Sequence, residues 1–487
     1  MNDVTKELKD IVGGENVLDE PEILDSYSRD QSFALPIRPQ CVLKPDNAED
    51  VQAIVRWANQ TGTGLVPVSS GAPHFRGDTI PNTSGVVVVD VSGMTKIINI
   101  NRRNRVALIE PGVTYNQLQP ELAKEGLRLA NPLLPRANKS VVASILEREP
   151  TLIPRYQWIM LEPLRAMEVI FGDGEMLRTG EGGDWRLQEL WETKQAPIGG
   201  SGPGQTDFWR LISAAQGSMG IVTWTSVKCQ LLPKVHKLFF VSSPMLEDLI
   251  PFVYRLLRYR FGDELMILNG FVLASMLGGG ANAITARAAE LPAWSVLVGI
   301  AGGDWLPEEK VGYLEKDISD IAQQFGLQLV SEIPGARNAE VLNAILNPSA
   351  EPYWKLDYKG GCQDIFFLNT LDQTPGFVDV MYGVAKNHRY PSNEIGVYLQ
   401  PLHQGASCHI EFILPYNRDN SDEASGMHKL FTKASAAMLQ QGAFFSRPYG
   451  IWANMAYNRD AQTTEVLKKL KGIFDPNNVM NPGKLCF

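Results

Sequence analysis

Residues 67–78 read P-V-S-S-G-A-P-H-F-R-G-D and lie between two strand-like runs. The small residues Ser69, Ser70, Gly71 and Ala72 let backbone N–H groups approach an anion such as a pyrophosphate closely. The spacing matches neither the Walker A loop nor the G-x-G-x-x-G fingerprint. A surface turn between two strands would use the same Gly, Ser and Pro residues, so that interpretation stays open. We therefore predict from this stretch a loop that holds a phosphorylated cofactor.

The composition is that of an ordinary globular protein. The chain has 487 residues, of which 44% are apolar and 20% charged, and its length allows about two to four domains. The formal net charge is -9, and the sequence contains no block of basic residues, which disfavours nucleic acid and anionic membranes as partners. The first residues lack a basic-then-apolar targeting signal, and no apolar run approaches the ~20 residues that span a bilayer. We therefore expect a cytoplasmic protein.

The cysteines are widely spaced and include no C-x-x-C pair: Cys41, Cys229, Cys362, Cys408 and Cys486. An odd number at such spacing argues against a disulfide framework, a structural zinc site or an iron–sulfur cluster held by this chain alone. No metal is therefore predicted.

The N-terminal half mixes strands and helices without regular alternation. The pattern predicts an amphipathic helix over 50–58, buried strands over 85–91 and 105–110, and a hairpin turn at Gly172-Asp173-Gly174. From residue 237 to about 436 the pattern changes to mixed helices and antiparallel-looking strands, which indicates a second domain. We therefore predict an α+β protein of two domains, not a doubly wound sheet.

Six motifs follow one another along the chain: P-V-S-S-G at 67, E-P-G-V-T-Y at 110, E-R-E-P at 147, M-E-V-I-F-G-D-G-E-M-L-R-T-G at 167, G-S-M-G-I-V-T at 217 and F-D-P-N-N-V-M-N-P-G-K at 474. Together they resemble the vanillyl-alcohol oxidase and p-cresol methylhydroxylase family of FAD-linked oxidases. The resemblance implies a PCMH-type α+β FAD-binding domain over 1–233 and a cap domain built on an antiparallel sheet over 234–436. It also implies a C-terminal segment, 437–487, that returns to the FAD-binding domain.

By the same resemblance, FAD is contacted from several parts of the chain. The implied residues are Pro67, Ser69, Ser70, Gly71, Ala72, His74 and Phe75; Pro111, Gly112 and Val113; Ser140, Val141 and Ser144; Gly220, Ile221 and Val222; and Asn481 and Lys484. For each of these, a structural role without cofactor contact is the alternative. Arg447 matches a family arginine at the flavin carbonyl edge, where a fixed cation stabilises the anionic reduced ring. An exposed loop arginine is the alternative for Arg447.

The run A-S-C-H-I-E-F-I at 406–413 has strand periodicity, which places His409 and Glu411 on one face. A polar pair on an otherwise apolar strand indicates a catalytic or substrate-facing role. His403 and His409 also resemble part of the H-x(n)-H metal motif of related D-2-hydroxy-acid dehydrogenases, although the acidic, glycine-rich centre of that motif is missing. A metal site and a hydrogen-bonded structural histidine therefore stay open as alternatives.

Three positions depart from the phenol-oxidising members of the family. Where those members hold the substrate phenolate with tyrosines, the aligned residues here are Arg76 and Ser446, and the family's catalytic aspartate falls near Gln157. Arg76 is expected either to pair with a substrate carboxylate or to form a surface salt bridge. The residues expected to take part in catalysis are His409, Glu411, Arg447, Gln157 and Arg76.

Two classes of function remain open. The first is an FAD-dependent dehydrogenase or oxidase that takes a hydride from a small aromatic or carboxylate-bearing alcohol, or from an activated C–H group, with a D-2-hydroxy-acid dehydrogenase as an alternative. Its electrons would pass to an external acceptor or a partner protein. The second is a flavin-carrying subunit of a larger redox complex. We expect a homo-oligomer with non-covalent FAD, the candidates for a covalent tether being His74, Tyr398 and His403.

Overall fold

The computed structural model describes residues 3–154, 163–184, 192, 196–197, 199, 202 and 209–487. No helix within these ranges is both long and apolar enough to cross a lipid bilayer. The α-helices are α1 Asp3–Val12, α2 Pro21–Ser26, α3 Ala48–Thr61, α4 Tyr115–Lys124, α5 Val141–Leu146, α6 Trp209–Ile212, α7 Leu246–Tyr259, α8 Gly270–Leu277, α9 Gly280–Glu290, α10 Pro307–Gln324, α11 Asn338–Leu346, α12 Thr374–Asn387, α13 Ser421–Gln440, α14 Ile451–Tyr457 and α15 Ala461–Phe474.

The strands are β1 Val17–Leu18, β2 Val42–Leu43, β3 Leu65–Val68, β4 Val87–Asp90, β5 Ile97–Asn101, β6 Val106–Ile109, β7 Leu127–Arg128, β8 Leu164–Phe171, β9 Met176–Arg178, β10 Gly220–Lys228, β11 Gln230–Leu231, β12 Val235–Ser243, β13 Glu264–Asn269, β14 Trp294–Gly302, β15 Glu332–Ile333, β16 Ala336–Arg337, β17 Gly360–Asn369, β18 Gly396–Leu402 and β19 Ser407–Asn417. Short strands β7 and β11 pair with each other, as do β15 and β16.

Two larger sheets form the N-terminal part of the protein. The first has the strand order β1-β2-β4-β3, with parallel pairing between β2 and β4 and between β4 and β3. The second has the order β5-β6-β10-β8-β9 and is antiparallel throughout. The predicted hairpin joins β8 to β9, and Gly174 adopts the left-handed φ of 84° that its turn requires.

Helix α3 supports the first sheet and matches the helix predicted over 50–58. Its N-cap Asn47 accepts a hydrogen bond from the Asp50 N–H at 2.8 Å, and it ends at Gly62, whose φ is 70°. The apolar side of the helix, which includes Val51 and Ile54, is buried against β3 and β4. This packing fixes the end of β3, where the loop 67–78 begins.

The cap sheet follows from residue 235 onward. Its six strands are all antiparallel, in the order β12-β14-β13-β18-β19-β17, and apolar clusters lie on its two sides. Strand β19 pairs with β18 on one side and β17 on the other, and its residues 408–416 are buried. The predicted α+β class with an antiparallel cap sheet is confirmed. The domain boundaries at residues 233 and 436 stay predictions.

The C-terminal tail adds a parallel bridge to the first sheet. The Leu65 N–H donates to Val479 O at 2.7 Å, and the Asn481 N–H donates to Leu65 O at 2.7 Å. The tail therefore lies beside β3, directly before the loop 67–78.

Candidate active site

The loop after β3 is held by hydrogen bonds to its carbonyl oxygens. Arg136 Nη1 donates to Gly71 O at 2.7 Å, and the Gln31 N–H donates to His74 O at 2.8 Å. Because the C=O and N–H of a planar trans peptide point in opposite directions, these bonds turn the N–H groups of the next residues away from their donors. This arrangement is compatible with an anion bound on the other side of the loop.

Two tail residues support the loop from behind. Asn481 Nδ2 donates to Asp78 O at 2.9 Å and to Gln216 O at 2.6 Å. Lys484 Nζ donates to Gly77 O, and burial lowers the pKa of Lys484 to about 8 although Asp78 opposes this shift. The tail motif thus fixes the far end of the loop.

The loop forms one wall of a cavity that extends from the N-terminal sheets to the cap sheet. The predicted cofactor residues that line it are Pro67, Ser69, Ser70, His74, Phe75, Pro111, Gly220, Ile221, Val222 and Arg447. Those that are not among its described lining residues are Gly71, Ala72, Gly112, Val113, Ser140, Val141, Ser144, Asn481 and Lys484.

Several of this second group shape the wall from behind. A Cβ on Gly112 would lie 2.4 Å from the backbone oxygen of Ser92, so only glycine permits this close backbone packing. Ser140 is fully buried; its Oγ accepts from the Ala143 N–H at 3.0 Å as the N-cap of α5 and donates to Pro111 O. These residues hold the cavity-lining segments in place.

A network of four charges lies in the cavity wall. Arg76 pairs with Glu147 at 2.7 Å and with Glu149 at 3.3 Å, and Lys139 pairs with the same carboxylates at 2.6 and 2.9 Å. Burial alone would raise the pKa of Glu149, but Lys139 and Arg76 hold it below its ordinary value. Arg76 is therefore a salt-bridged wall residue whose two terminal nitrogens each pair with a carboxylate of the protein, and its expected part in catalysis stays a prediction.

A second charged cluster lies where the cavity meets the cap sheet. Lys355 Nζ is 2.6 Å from Asp364 Oδ2 and also pairs with Glu411, and all three residues line the cavity. His409 Nε2 is 2.8 Å from Glu411 Oε2, which agrees with the predicted common face of β19. His409 itself is 1% exposed and is not among the described residues that line the cavity, so it contacts the site through Glu411.

Burial sets the protonation states of this cluster. It lowers the pKa of His409 to about 4, although Glu411 opposes the shift, so the ring is neutral at pH 7 and its Nε2–H donates to the Glu411 carboxylate. Burial alone would raise the pKa of Glu411, but Lys355 and His409 hold it below its ordinary value. Burial raises the pKa of Asp364, against the attraction of Lys355. Asp364 is therefore a stronger base than an ordinary aspartate.

Arg447 lies close to this cluster with part of its hydrogen-bonding capacity unused. It is 3% exposed, and its guanidinium carbon lies 4.1 Å from the ring centroid of Phe366. Among the described residues, Arg447 Nη1, Thr79 Oγ1 and Trp354 Nε1 have no hydrogen-bond partner, and all three residues line the cavity. Buried polar groups without partners are rare, so the cavity is built for a ligand with several polar groups.

The remaining predicted residues are distributed unevenly. His74 and Tyr398 line the cavity, whereas His403 is not among its described lining residues. No group of three or more His, Cys, Asp or Glu side chains in the described ranges is placed to hold a metal ion. Gln157 lies outside the described residues.

Asp364 and Lys355 were not among the residues predicted from the sequence. Asp364 directly precedes the apolar run I-F-F at 365–367 of β17, so the signal that selected Glu411, a charged residue on an apolar strand, could also have selected Asp364. Lys355 lies in the segment before β17, where no periodic pattern marks it.

Two sequence families and a solved structure match this chain. The FAD binding domain family matches residues 39–180, and the C-terminal domain family of FAD linked oxidases matches residues 403–485. The chain is 24% identical to D-2-hydroxyglutarate dehydrogenase of Stutzerimonas stutzeri (strain A1501), over 98% of each chain. It is 22% identical to the 4-cresol dehydrogenase [hydroxylating] flavoprotein subunit of Pseudomonas putida, over 99% of this chain and 95% of that protein.

The fold is that of p-cresol methylhydroxylase, whose substrate-bound crystal structure superposes with a TM-score of 0.83 at 18% identity and covers 100% of this chain and 96% of that one. The protein is an FAD-dependent oxidoreductase. It contains both domains of the FAD-linked oxidases, over residues 39–180 and 403–485. The cavity fits FAD, because it combines a small-residue loop with buried polar groups that lack partners among the described residues.

Acid precipitation of the purified protein is expected to leave FAD in a yellow supernatant. A covalent tether needs a nucleophilic side chain within bonding reach of the flavin ring. Tyr398 is a poor nucleophile because burial raises its pKa, and its hydroxyl donates to Gln400 Oε1 at 3.0 Å. His74→Ala provides the control. Flavin that pellets with the unaltered protein but not with His74→Ala would contradict this prediction and identify the tether.

Proposed function

We propose that the protein oxidises a small aromatic alcohol, or an activated benzylic C–H group, at the end of the cavity formed by the cap sheet. The observation that carries this proposal is Asp364, a carboxylate of raised pKa that lines the cavity beside the buried pair of Lys355 and Glu411. A general base works best when its pKa lies near the working pH, and the raised pKa of Asp364 lies closer to neutral pH than that of an ordinary aspartate. Bound FAD supplies the acceptor for the hydride that leaves the substrate carbon.

Each residue of the cluster has a distinct part in this proposal. Asp364 accepts the proton of the substrate hydroxyl at Oδ1, the oxygen that faces away from Lys355 and accepts only the weak hydrogen bond of Cys362 Sγ at 3.5 Å. Lys355 stays charged, because Asp364 and Glu411 raise its pKa well above the ordinary value although burial alone would lower it. It thereby keeps Asp364 oriented and prevents two neighbouring carboxylates from repelling each other. Neutral His409 is a positioning residue that holds Glu411 through its Nε2–H.

The cavity wall beside the cluster is suited to an aromatic ring. Phe75, Tyr353, Trp354, Tyr398 and Tyr449 all line it. Aromatic side chains pack well against a flat ring in edge-to-face or offset arrangements. We therefore propose that these rings hold the substrate ring while Arg447 Nη1 interacts with a negatively charged or carbonyl group of the flavin or the substrate.

A D-2-hydroxy acid is the second candidate substrate. It is favoured by Arg447, whose Nη1 has no partner among the described residues and could bind a carboxylate, and by the likeness to D-2-hydroxyglutarate dehydrogenase. We propose that in either case the electrons leave the flavin for an external acceptor, which can be a separate protein. The expected homo-oligomer is part of the same proposal.

Anaerobic mixing with a substrate panel separates these candidates. We expect benzyl alcohol or vanillyl alcohol to bleach the flavin absorbance. D-lactate and D-2-hydroxyglutarate should do so at least ~10-fold more slowly, because a carboxylate that does not match the polar groups of the site lowers kcat/KM. Bleaching by the hydroxy acids alone would establish the second candidate. Absence of bleaching by every compound, in protein that chemical reductant bleaches, would instead support a flavin-carrying subunit.

A further inference from the structure

A second cavity adjoins the first on the other side of Arg76. We call it the aromatic chamber and define it by Phe33, Phe75, Phe366, Phe431, Tyr449 and Trp452, which all line it. Arg76 and Asp364 line both cavities, as do Phe75 and Tyr449. The proposed base Asp364 therefore lies at the boundary between the first cavity and the aromatic chamber.

The rings of the chamber are packed against one another. Trp452 stacks on Phe431 with centroids 5.5 Å apart and meets Phe366 edge-on at 5.0 Å. Phe33 meets the Phe431 ring at 5.8 Å and stacks on His428 at 4.5 Å. Because each ring is held by at least one other ring, the chamber is a preformed aromatic surface that need not reorganise to bind a ligand.

The charged groups at the chamber wall already have partners in the protein. Arg76 pairs with Glu147 and Glu149, and it stacks on Phe366 at 5.0 Å and on Tyr449 at 5.2 Å. Asp364 pairs with Lys355, and Lys484, which also lines the chamber, donates to Gly77 O and Asn82 Oδ1. Since these groups are engaged, the chamber is suited to an uncharged aromatic group and not to an ion.

The outer end of the chamber reaches solvent. Leu35, one of its lining residues, is 81% exposed, and Asn454 nearby is also exposed. A ligand in the chamber would thus cover an exposed leucine at one end and approach Asp364 at the other. The chamber connects solvent with the point where the proposed proton transfer takes place.

We propose that the aromatic chamber binds a second, uncharged aromatic group of the substrate, so that the preferred substrates are two-ring aryl alcohols whose carbinol reaches Asp364. This inference rests on the proposed function and adds the substrate class. Full burial of one further ring is worth ~10- to 100-fold in affinity. Single-ring alcohols would leave the chamber empty and bind correspondingly more weakly.

Kinetics of the FAD-loaded enzyme test the substrate preference. Biphenyl-4-methanol is expected to have a KM ~10- to 100-fold below that of benzyl alcohol.

Leu35→Asp places a charge at the chamber mouth. Because position 35 is exposed, this change should not disturb folding. It is expected to raise the KM of biphenyl-4-methanol ~10-fold or more relative to that of benzyl alcohol. Ala453→Phe, which fills the chamber from α14, should act in the same direction. Ala461→Phe on the surface of α15 is the matched control and should change neither KM.

A binding measurement keeps this test independent of catalysis. Biphenyl-4-carboxamide and benzamide carry no oxidisable carbinol, and calorimetric titration gives their Kd values directly. We expect the biphenyl amide to bind ~10- to 100-fold more tightly, and Leu35→Asp to remove most of that difference. Equal Kd values in the unaltered protein, or equal losses for both amides in Leu35→Asp, would overturn the proposal. If no alcohol reduces the flavin, the proposed function fails, whereas the amides still decide whether the chamber binds a second ring.

Discussion

Replacement of Asp364 by asparagine is expected to slow flavin reduction by ~100- to 10,000-fold, the usual contribution of a general base. Asparagine keeps the size of the side chain and a hydrogen-bond acceptor for Lys355, but it cannot take up a proton. FAD content should stay unchanged, because Asp364 lies at the cap-sheet end of the cavity and not in the loop 67–78. Anaerobic stopped-flow absorbance with the best alcohol of the panel gives the rate, and the flavin spectrum gives the FAD content.

Glu394→Gln is the matched control for this variant. Glu394 also pairs with a lysine, Lys359, but it is not among the described residues that line either cavity. Its replacement should leave the reduction rate within ~2-fold, because a general base must lie within hydrogen-bond reach of the substrate. An equal rate in Asp364→Asn and the unaltered enzyme would remove Asp364 from the mechanism.

The pH dependence of the same rate gives a second readout. Only the ionised form of Asp364 accepts a proton, and burial raises its pKa above the ordinary 3.8. The rate should therefore fall as the pH falls through this raised pKa, and the remaining rate of Asp364→Asn should lack that step. His409 does not line the described cavity, and a step caused by His409 would persist in Asp364→Asn.

Lys355→Met is expected to lower the free energy of unfolding by ~3–5 kcal/mol, the range for removing one partner of a buried ion pair. The side chains of Lys355, Asp364 and Glu411 are 9%, 16% and 11% exposed, so solvent screens the two remaining carboxylates poorly. Urea denaturation of the FAD-loaded protein, followed by tryptophan fluorescence, measures the loss. Lys359→Met is the control: Lys359 is 27% exposed and its partners Glu394 and Glu423 are 17% and 33% exposed, so its loss should cost less than that of Lys355.

The deficit of Lys355→Met should shrink at acidic pH. In the unaltered protein the pKa of Glu411 is held below its ordinary 4.5, so its contribution to stability is present above that value and is lost as the pH falls through the folded-state pKa. Without Lys355 this pKa rises, and protonation of the two carboxylates relieves their repulsion as the pH approaches their ordinary range. A deficit that does not change with pH would show that lost packing, not unpaired charge, destabilises the variant.

Local patterns predicted the features that depend on neighbours in sequence. The helix predicted over 50–58 forms because Asn47 caps its start and Gly62 ends it. The turn at Gly172-Asp173-Gly174 forms because Gly174 can adopt a left-handed φ. The common face of His409 and Glu411 follows from the two-residue period of a strand. Each of these features depends on backbone geometry over a few residues, and the residue types at those positions determine that geometry.

The sequence by itself determined the FAD-binding class and the α+β fold, and it predicted the loop 67–78 as a cofactor loop. Only the tertiary structure decided which charges meet. Asp364 and Glu411 are brought together by the register of β17 with β19, and Lys355 reaches both from a segment without periodicity. Likewise Arg76 pairs with Glu147 and Glu149, more than 70 positions away, and its neighbours in sequence do not predict these partners. The physical reason is that burial and pairing over long range set pKa values and available hydrogen bonds, and neither quantity can be read from adjacent residues.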